Sequence, residues 1–290
     1  MSPLLRDLSY ALRLAVRFPV FTATVVLTLG LGIGAATSVF SVIDAVLLHP
    51  VPYPDPDRIV SVLAVRPERG PDRMSLTPAD FLSLRARNRS FRQLGAYVPF
   101  GSLDLTGEGE PVRLQRHLVS EGLLETLRIR AVVGRLFQAE EYRQTGQRVV
   151  ILSHRLWRSR FGGDPRIAGR RLRLGGEIYE AIGVLPADFR LPGGDPDLLV
   201  PLAFRPEDAT DRTSGYLGGI GRLRPGVSLI QARADLESIA RGLQEQFPDS
   251  NRGLSVSLLS LPESYGAQAR TALWVIFGAV SLLLLISAIL

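Results

Sequence analysis

The sequence predicts a membrane protein of mixed architecture: a transmembrane helix, a large outer domain of α and β structure, and a second transmembrane helix. Two observations lead there. The chain has 290 residues, 21% of them charged, and a mean hydropathy of +0.16, and its apolar residues gather into two uncharged runs at the ends. Between these runs lie 227 residues, Asp44 to Arg270, with all but three of the arginines and all but one of the acids. Apolar spacing in that middle stretch switches between the helix and strand periods.

Residues 1–17 place Leu4, Leu5, Leu8, Ala11, Leu12, Ala15 and Val16 at helical spacing, with Arg6, Arg13 and Arg17 elsewhere on the wheel. This reads as an amphipathic helix on the cytoplasmic leaflet, in contact with membrane lipid. A plain basic flank would explain the arginines but not the stripe. Residues 18–43 contain no Asp, Glu, Lys, Arg or His over 26 positions. At about 1.5 Å per residue they cross a ~30 Å hydrocarbon core. A cleaved signal peptide is the alternative, since Gly34-Ala35-Ala36 supplies small residues, but its apolar region would be only about 7–15 residues long. Gly30 and Gly34 form a small-xxx-small pair that lets another helix approach. They are no nucleotide loop, because the spacing is G-x-G-x-G and no strand precedes it. Residues 271–290 give the second uncharged run, 20 residues with Trp274 and Phe277. Three arginines against Asp7 precede the first span, whereas Asp55, Asp57 and Arg58 follow it. The positive-inside bias therefore puts the N-terminus in the cytoplasm and residues 44–270 outside.

Each end of the outer domain offers a strand–helix–strand unit. Ile59 to Val65 is a β-branched run, and Thr77-Pro78-Ala79-Asp80 then supplies a capping residue, a proline at the first helical position and an acid at the third. Phe81 and Leu84 form the apolar face of that helix. Gly219 to Leu223 is a second strand, and Ser228-x-x-Gln231 is a capping box. The helix it opens carries Leu229, Ala232, Leu236, Ile239, Leu243 and Phe247, is stopped by Pro248, and precedes a strand over Leu254 to Leu261. Together the two units suit one layered α/β subdomain.

The middle is richer in β structure. Leu103 to Thr106, Val112 to Val119 and Val149 to Leu152 read as strands, and Ser120 to Leu127 as a short helix. Ser153 caps a helix with Leu156, Trp157 and Phe161 that Gly162-Gly163 ends. Leu172 and Leu174, the turn Gly175-Gly176, and Ile178, Ile182 and Val184 make a hairpin. Pro186, Pro192, Pro196 and Pro201 mark a loop-rich exit. The block from about 120 to 205 reads as an insertion in the α/β subdomain.

Composition removes many activities. All 34 basic residues are arginine, cysteine is absent, and the histidines are His49, His117 and His154. Without lysine there is no Walker-A loop, and without cysteine no thiolate nucleophile, Fe–S cluster or cysteine zinc site. ATP, if it drives this protein, is hydrolysed by another chain. Ser153 and His154 are sequence neighbours, but a nucleophile and its base meet through the fold, so Ser153 is read as a helix cap and His154 as an exposed first-turn residue. Asp195-Pro196-Asp197 lacks the spacing of a calcium loop and reads as a turn. His49 and His117 have no metal-ligand spacing around them. The expected sets of catalytic, cofactor-binding and metal residues are therefore empty, and no enzyme is expected. The outer domain carries only +4, scattered over its length, so nucleic acid is not an expected partner.

Several segments carry a family resemblance. Asp7-Leu-Ser-Tyr-Ala-Leu-Arg, Thr28-Leu-Gly-Leu-Gly-Ile-Gly-Ala-Ala-Thr-Ser-Val-Phe-Ser-Val and Leu48-His-Pro-Val-Pro-Tyr-Pro resemble the start of acidobacterial duplicated orphan permeases (ADOP), which belong to the MacB/FtsX-type ABC transporter permeases. Pro78-Ala-Asp-Phe-Leu, Arg89-Ser-Phe, Leu105-Thr-Gly, Leu152-Ser-His-Arg-Leu-Trp, Phe161-Gly-Gly-Asp-Pro, Gly183-Val-Leu-Pro-Ala-Asp-Phe, Pro201-Leu and Arg222-Leu-Arg-Pro-Gly-Val follow in the same order. The resemblance covers nearly the whole chain. It implies a multi-pass inner-membrane permease whose residues 44–270 are a MacB-like periplasmic core domain, with a porter-like part and a β-rich insertion. It further implies a separate ABC ATPase, a periplasmic partner protein, and a homodimer or a pseudo-dimer with a second permease unit. The implied function is to couple ATP hydrolysis on another chain to motion of the periplasmic domain, for export or mechanotransmission. The alternative is a membrane-anchored periplasmic binding module without transport activity. Family permeases have four spans per unit, so this sequence, ending within its second span, is expected to be the amino-terminal portion of one.

Overall fold

The computed structural model describes residues 17–43, 51–69 and 73–264, with four further positions, 275–276 and 278–279. It divides into two units, one holding the described helix near the N-terminus and the other spanning Val51–Ser264. The expected amphipathic helix over 1–16, His49, and all of the second apolar run but those four positions lie outside the described residues.

In the first unit, Pro19–Ile43 forms helix α1, 25 residues long. All six of its Ser and Thr hydroxyls donate to the carbonyl one turn back, as in Thr28 to Thr24 at 2.7 Å and Ser38 to Gly34 at 2.8 Å. Val20, Val26, Leu27 and Ile33 are 60–79% exposed. Counted over the described residues alone, no helix is long and apolar enough to cross a membrane.

The second unit is built on one sheet of twelve strands. Its first half joins two strand–helix–strand units, one at each end of the domain, with one strand more than the sequence locates. These are β1 (Ile59–Val65), helix α2 (Pro78–Arg87) and β3 (Phe91–Val98), then β11 (Gly218–Leu223), helix α5 (Leu229–Gln246) and β12 (Ser255–Ser260), with a two-residue β2 (Arg73–Met74) on β1. The strand order β12-β1-β11-β3 is antiparallel throughout, the split βαβ arrangement. Local chemistry explains both helices. Thr77 Oγ1 accepts from Asp80 N at 3.2 Å, and Pro78 opens α2. The box at α5 is closed both ways, Ser228 Oγ accepting from Gln231 N and Gln231 Oε1 from Ser228 N. Val60, Val62, Phe81, Leu84, Leu94, Leu236 and Leu258 form the core between sheet and helices.

The second half is a closed ring. Strands β4 (Ser102–Thr106), β5 (Val112–Val119), β7 (Val149–Leu152), β8 (Arg170–Leu174), β9 (Glu177–Val184) and β10 (Leu198–Pro201) pair in the order β5-β4-β8-β9-β7-β10, and β10 returns to β5 in parallel. A two-residue strand β6 (Val133–Gly134) pairs with β9. Closure leaves the ring without the edges that invite aggregation. Its interior is a second apolar core of Leu105, Leu114, Leu152, Leu172, Leu174 and Leu198, against Trp157 and Phe161 of helix α4 (His154–Phe161). This core takes in β4 and β5, which precede the boundary near 120 read from sequence.

A short helix α3 (Leu123–Leu127) sits on the sheet face opposite α2 and α5. Gly95 permits this, because a Cβ there would stand 2.5 Å from the Leu123 backbone. Beyond α5, Pro248–Asn251 forms a short helix, α6.

Candidate functional site

The segment that leads into the first strand, Val51–Arg58, is a strap with prolines at 52, 54 and 56. Proline fixes its own φ, so three prolines in eight residues stiffen the strap. Alternate residues point inward: Val51 and Tyr53 are buried and Pro52 and Pro54 exposed. The Tyr53 hydroxyl donates to the Arg190 carbonyl and accepts from Arg190 N at 3.0 Å, which ties the strap to the loop beyond β9. Burial pushes the Tyr53 phenol well above its ordinary range.

The strap's other end meets a cluster of arginines. Asp55 Oδ2 lies 2.9 Å from Arg128 Nη1 and 3.7 Å from Arg222 Nη1. Arg58 Nη2 donates to the Leu223 carbonyl at 2.6 Å. Among the described residues, Asp55 (φ 52°) and Arg128 (φ 55°) are the two non-glycine residues with positive φ. That conformation costs roughly 1–3 kcal/mol at a residue with a Cβ, so it persists where the surroundings impose it, commonly at functional sites. The two strained residues are each other's ion partners.

Arg222 lies beneath them on β11, 2% exposed. Its Nε donates to the Thr126 carbonyl in α3 at 2.8 Å, while Nη1 and Nη2 are buried with no hydrogen-bond acceptor. Burial lowers its pKa from the ordinary guanidinium value, Arg128, Arg58 and Arg92 push it the same way, and Asp55 opposes them.

A second buried polar network lies at the start of α2. Asp80 is 2% exposed, and both of its carboxylate oxygens are engaged. Oδ1 accepts from Arg212 Nη1 at 2.5 Å and Asn251 Nδ2 at 2.8 Å, and Oδ2 accepts from Thr77 Oγ1 at 2.8 Å. The Arg212 guanidinium lies 3.9 Å from the Phe247 ring centre. This network fastens α2, the loop before β11 and α6 together, with every charge answered.

The residues weighed from sequence sit apart from these clusters. Ser153 Oγ accepts from Leu156 N at 3.1 Å, as a cap should. His154 is half-buried rather than exposed, because its ring stands edge-on to Trp157 at 5.3 Å. Asp197 accepts from Arg155 Nη2 at 2.7 Å and from Gln115 N at 2.8 Å, and Asp195 lies 3.6 Å from Arg190. His117 is buried in β5, with its Nδ1 unpartnered and its pKa lowered by burial. Among the described residues no three His, Asp or Glu side chains are placed to hold a metal. Asp55 and Arg222 enter the sequence reading only through charge bias and family resemblance, and Arg128 not at all. The one available signal was Arg222 itself, a charge set directly after Gly-Ile-Gly in a buried strand.

Residues 22–239 match the family model of the MacB-like periplasmic core domain. The chain belongs to that family. Two solved structures share the fold of this MacB-like domain at low identity. One is a domain assigned to a permease from Porphyromonas gingivalis, at TM-score 0.56 and 19% identity over 72% of this chain and 93% of that one. The other is the periplasmic region of MacB from Actinobacillus actinomycetemcomitans, at TM-score 0.52 and 13% identity over 74% and 92%. No curated protein matches the chain.

Proposed function

We propose that the chain is part of a MacB/FtsX-type ABC transporter permease of the inner membrane, its MacB-like domain periplasmic and driven by ATP hydrolysis on a separate chain. The observation that carries this reading is the strap. A proline-stiffened segment that follows α1 in sequence is pinned at Tyr53 to the loop beyond β9 and at Asp55 and Arg58 to the sheet and its covering helix. A pull on such a segment reaches both halves of the domain, which is what mechanotransmission requires. No catalytic role is assigned to the domain.

The membrane reading rests on α1. Its 25 residues extend about 37 Å at the helical rise. Its hydroxyls bond within the helix, as a medium without water demands, and large apolar side chains face outward. In this reading residues 18–43 and 271–290 span the membrane, and the permease acts with an ATPase subunit and a second permease unit.

Protease added to spheroplasts tests the topology. The expected result is loss of the 44–270 region with a membrane-embedded remnant left behind. Recovery of the intact chain in the soluble fraction would contradict it. Affinity purification in mild detergent tests the coupling: an ABC ATPase should co-purify, and its absence would favour a binding module without transport.

A further inference from the structure

We propose that Arg128 and Arg222, with Arg58 beside them, form a binding site for a phosphoryl oxyanion, and that the Asp55 carboxylate lies over it as a displaceable internal stand-in. The juxtaposition of a buried, under-bonded arginine with a second arginine and the half-exposed acid that serves both carries the inference.

A buried guanidinium is normally bonded at most of its five N–H groups, and a buried charge without compensation is strongly destabilising. Arg222 breaks both expectations, since its two terminal nitrogens have no acceptor. The single acid near them offers one oxygen at 3.7 Å, and that oxygen already serves Arg128. Among the described residues, Arg128 and Arg222 share one acid within ion-pair range, so two guanidiniums face one carboxylate. A phosphoryl group matches this imbalance better than a carboxylate, because it carries more charge and three acceptor oxygens in a geometry that guanidinium forks bind in pairs.

Access runs through Asp55. Its side chain is 50% exposed and that of Arg128 is 40% exposed, so both border solvent above the buried Arg222. Turning the Asp55 side chain away would release Arg222 from the one acid within ion-pair range among the described residues. The left-handed backbone at Asp55 also suits Asn, so Asp55→Asn removes the competing charge and keeps the strap's shape.

The test titrates the full chain in neutral detergent by calorimetry, with inorganic phosphate and with soluble dihexanoyl phosphatidic acid. The wild type should bind weakly and Asp55→Asn about tenfold tighter, the effect of removing one nearby like charge. Arg222→Gln and Arg128→Ala, each checked for an intact melting transition, should bind at least about tenfold more weakly than the wild type. Arg128→Ala guards against a folding defect at the buried position. Preference for the lipid probe would identify a headgroup phosphate, and equal binding a free anion. Either result supports the site. Unchanged binding in both arginine variants, or no tightening in Asp55→Asn, would overturn it. So would an equal loss in the double variant Arg171→Ala, Arg173→Ala on the distant strand β8, which would mean diffuse attraction to an arginine-rich surface.

Discussion

Two arginines in this domain, one half-buried and one fully buried, have opposite surroundings. Arg212 faces Asp80 at 2.5 Å, stacks on Phe247, and belongs to a network in which Thr77 and Asn251 complete the carboxylate's bonds. Arg222 is more deeply buried, yet it makes one hydrogen bond and shares a single carboxylate with Arg128. The first arrangement holds elements in place. The second keeps unspent bonding capacity beneath a strained, half-exposed lid, and such capacity suits a ligand or a moving part better than a staple.

The largest expected effect is on the satisfied pair. Arg212→Met leaves the Asp80 carboxylate buried and unpaired, and should cost about 3–5 kcal/mol in chemical denaturation. A cost below about 1 kcal/mol would remove Arg212 as a staple. The same substitution at Arg222 should cost about 1 kcal/mol or less, although the site is more buried. Methionine keeps much of the packing, the change relieves repulsion from Arg58, Arg92 and Arg128, and Asp55 keeps Arg128. Equal costs at the two positions would erase the contrast.

His117 sharpens the comparison from a third direction, with a smaller effect. It too is buried with an unpartnered nitrogen, but an imidazole can shed its proton where a guanidinium cannot. Its folded pKa lies below 6.5, so the unfolded chain binds more protons below that pH. The stability it contributes is complete above pH 6.5 and is lost as pH falls toward the lowered folded value. Melting midpoints from pH 7.5 down to 5 should therefore fall more steeply in wild type than in His117→Gln. Parallel curves would show that His117 does not couple to folding.

Local signals made half of this fold legible. The caps at Thr77, Ser153 and Ser228, the β-branched run Ile59–Val65 and the hairpin around Gly175-Gly176 all declare themselves within a few residues. Strand β3 did not, because Arg92, Gln93 and Gly95 break its alternation and its place is set by the partner β11. Strand β10 was hidden among prolines, and its pairing with β5 closes the ring over a long stretch of chain. The arginine cluster was least visible. Arg128 and Asp55 are 73 residues apart, Arg222 and Thr126 are 96 apart, and no spacing rule connects them. His154 is half-buried for a similar reason, since the Trp157 face that shelters it appears only once the helix is formed.

The most direct measurement compares the phosphate-induced rise in melting midpoint for wild type, Arg212→Met and Arg222→Gln, each against its own phosphate-free value. Phosphate stabilises folded proteins in general, and that contribution is common to all three. The expected result is an additional rise in wild type and Arg212→Met that is missing from Arg222→Gln. An equal rise in all three would show that Arg222 takes no anion, and that its orphaned nitrogens are a fault in packing rather than a site.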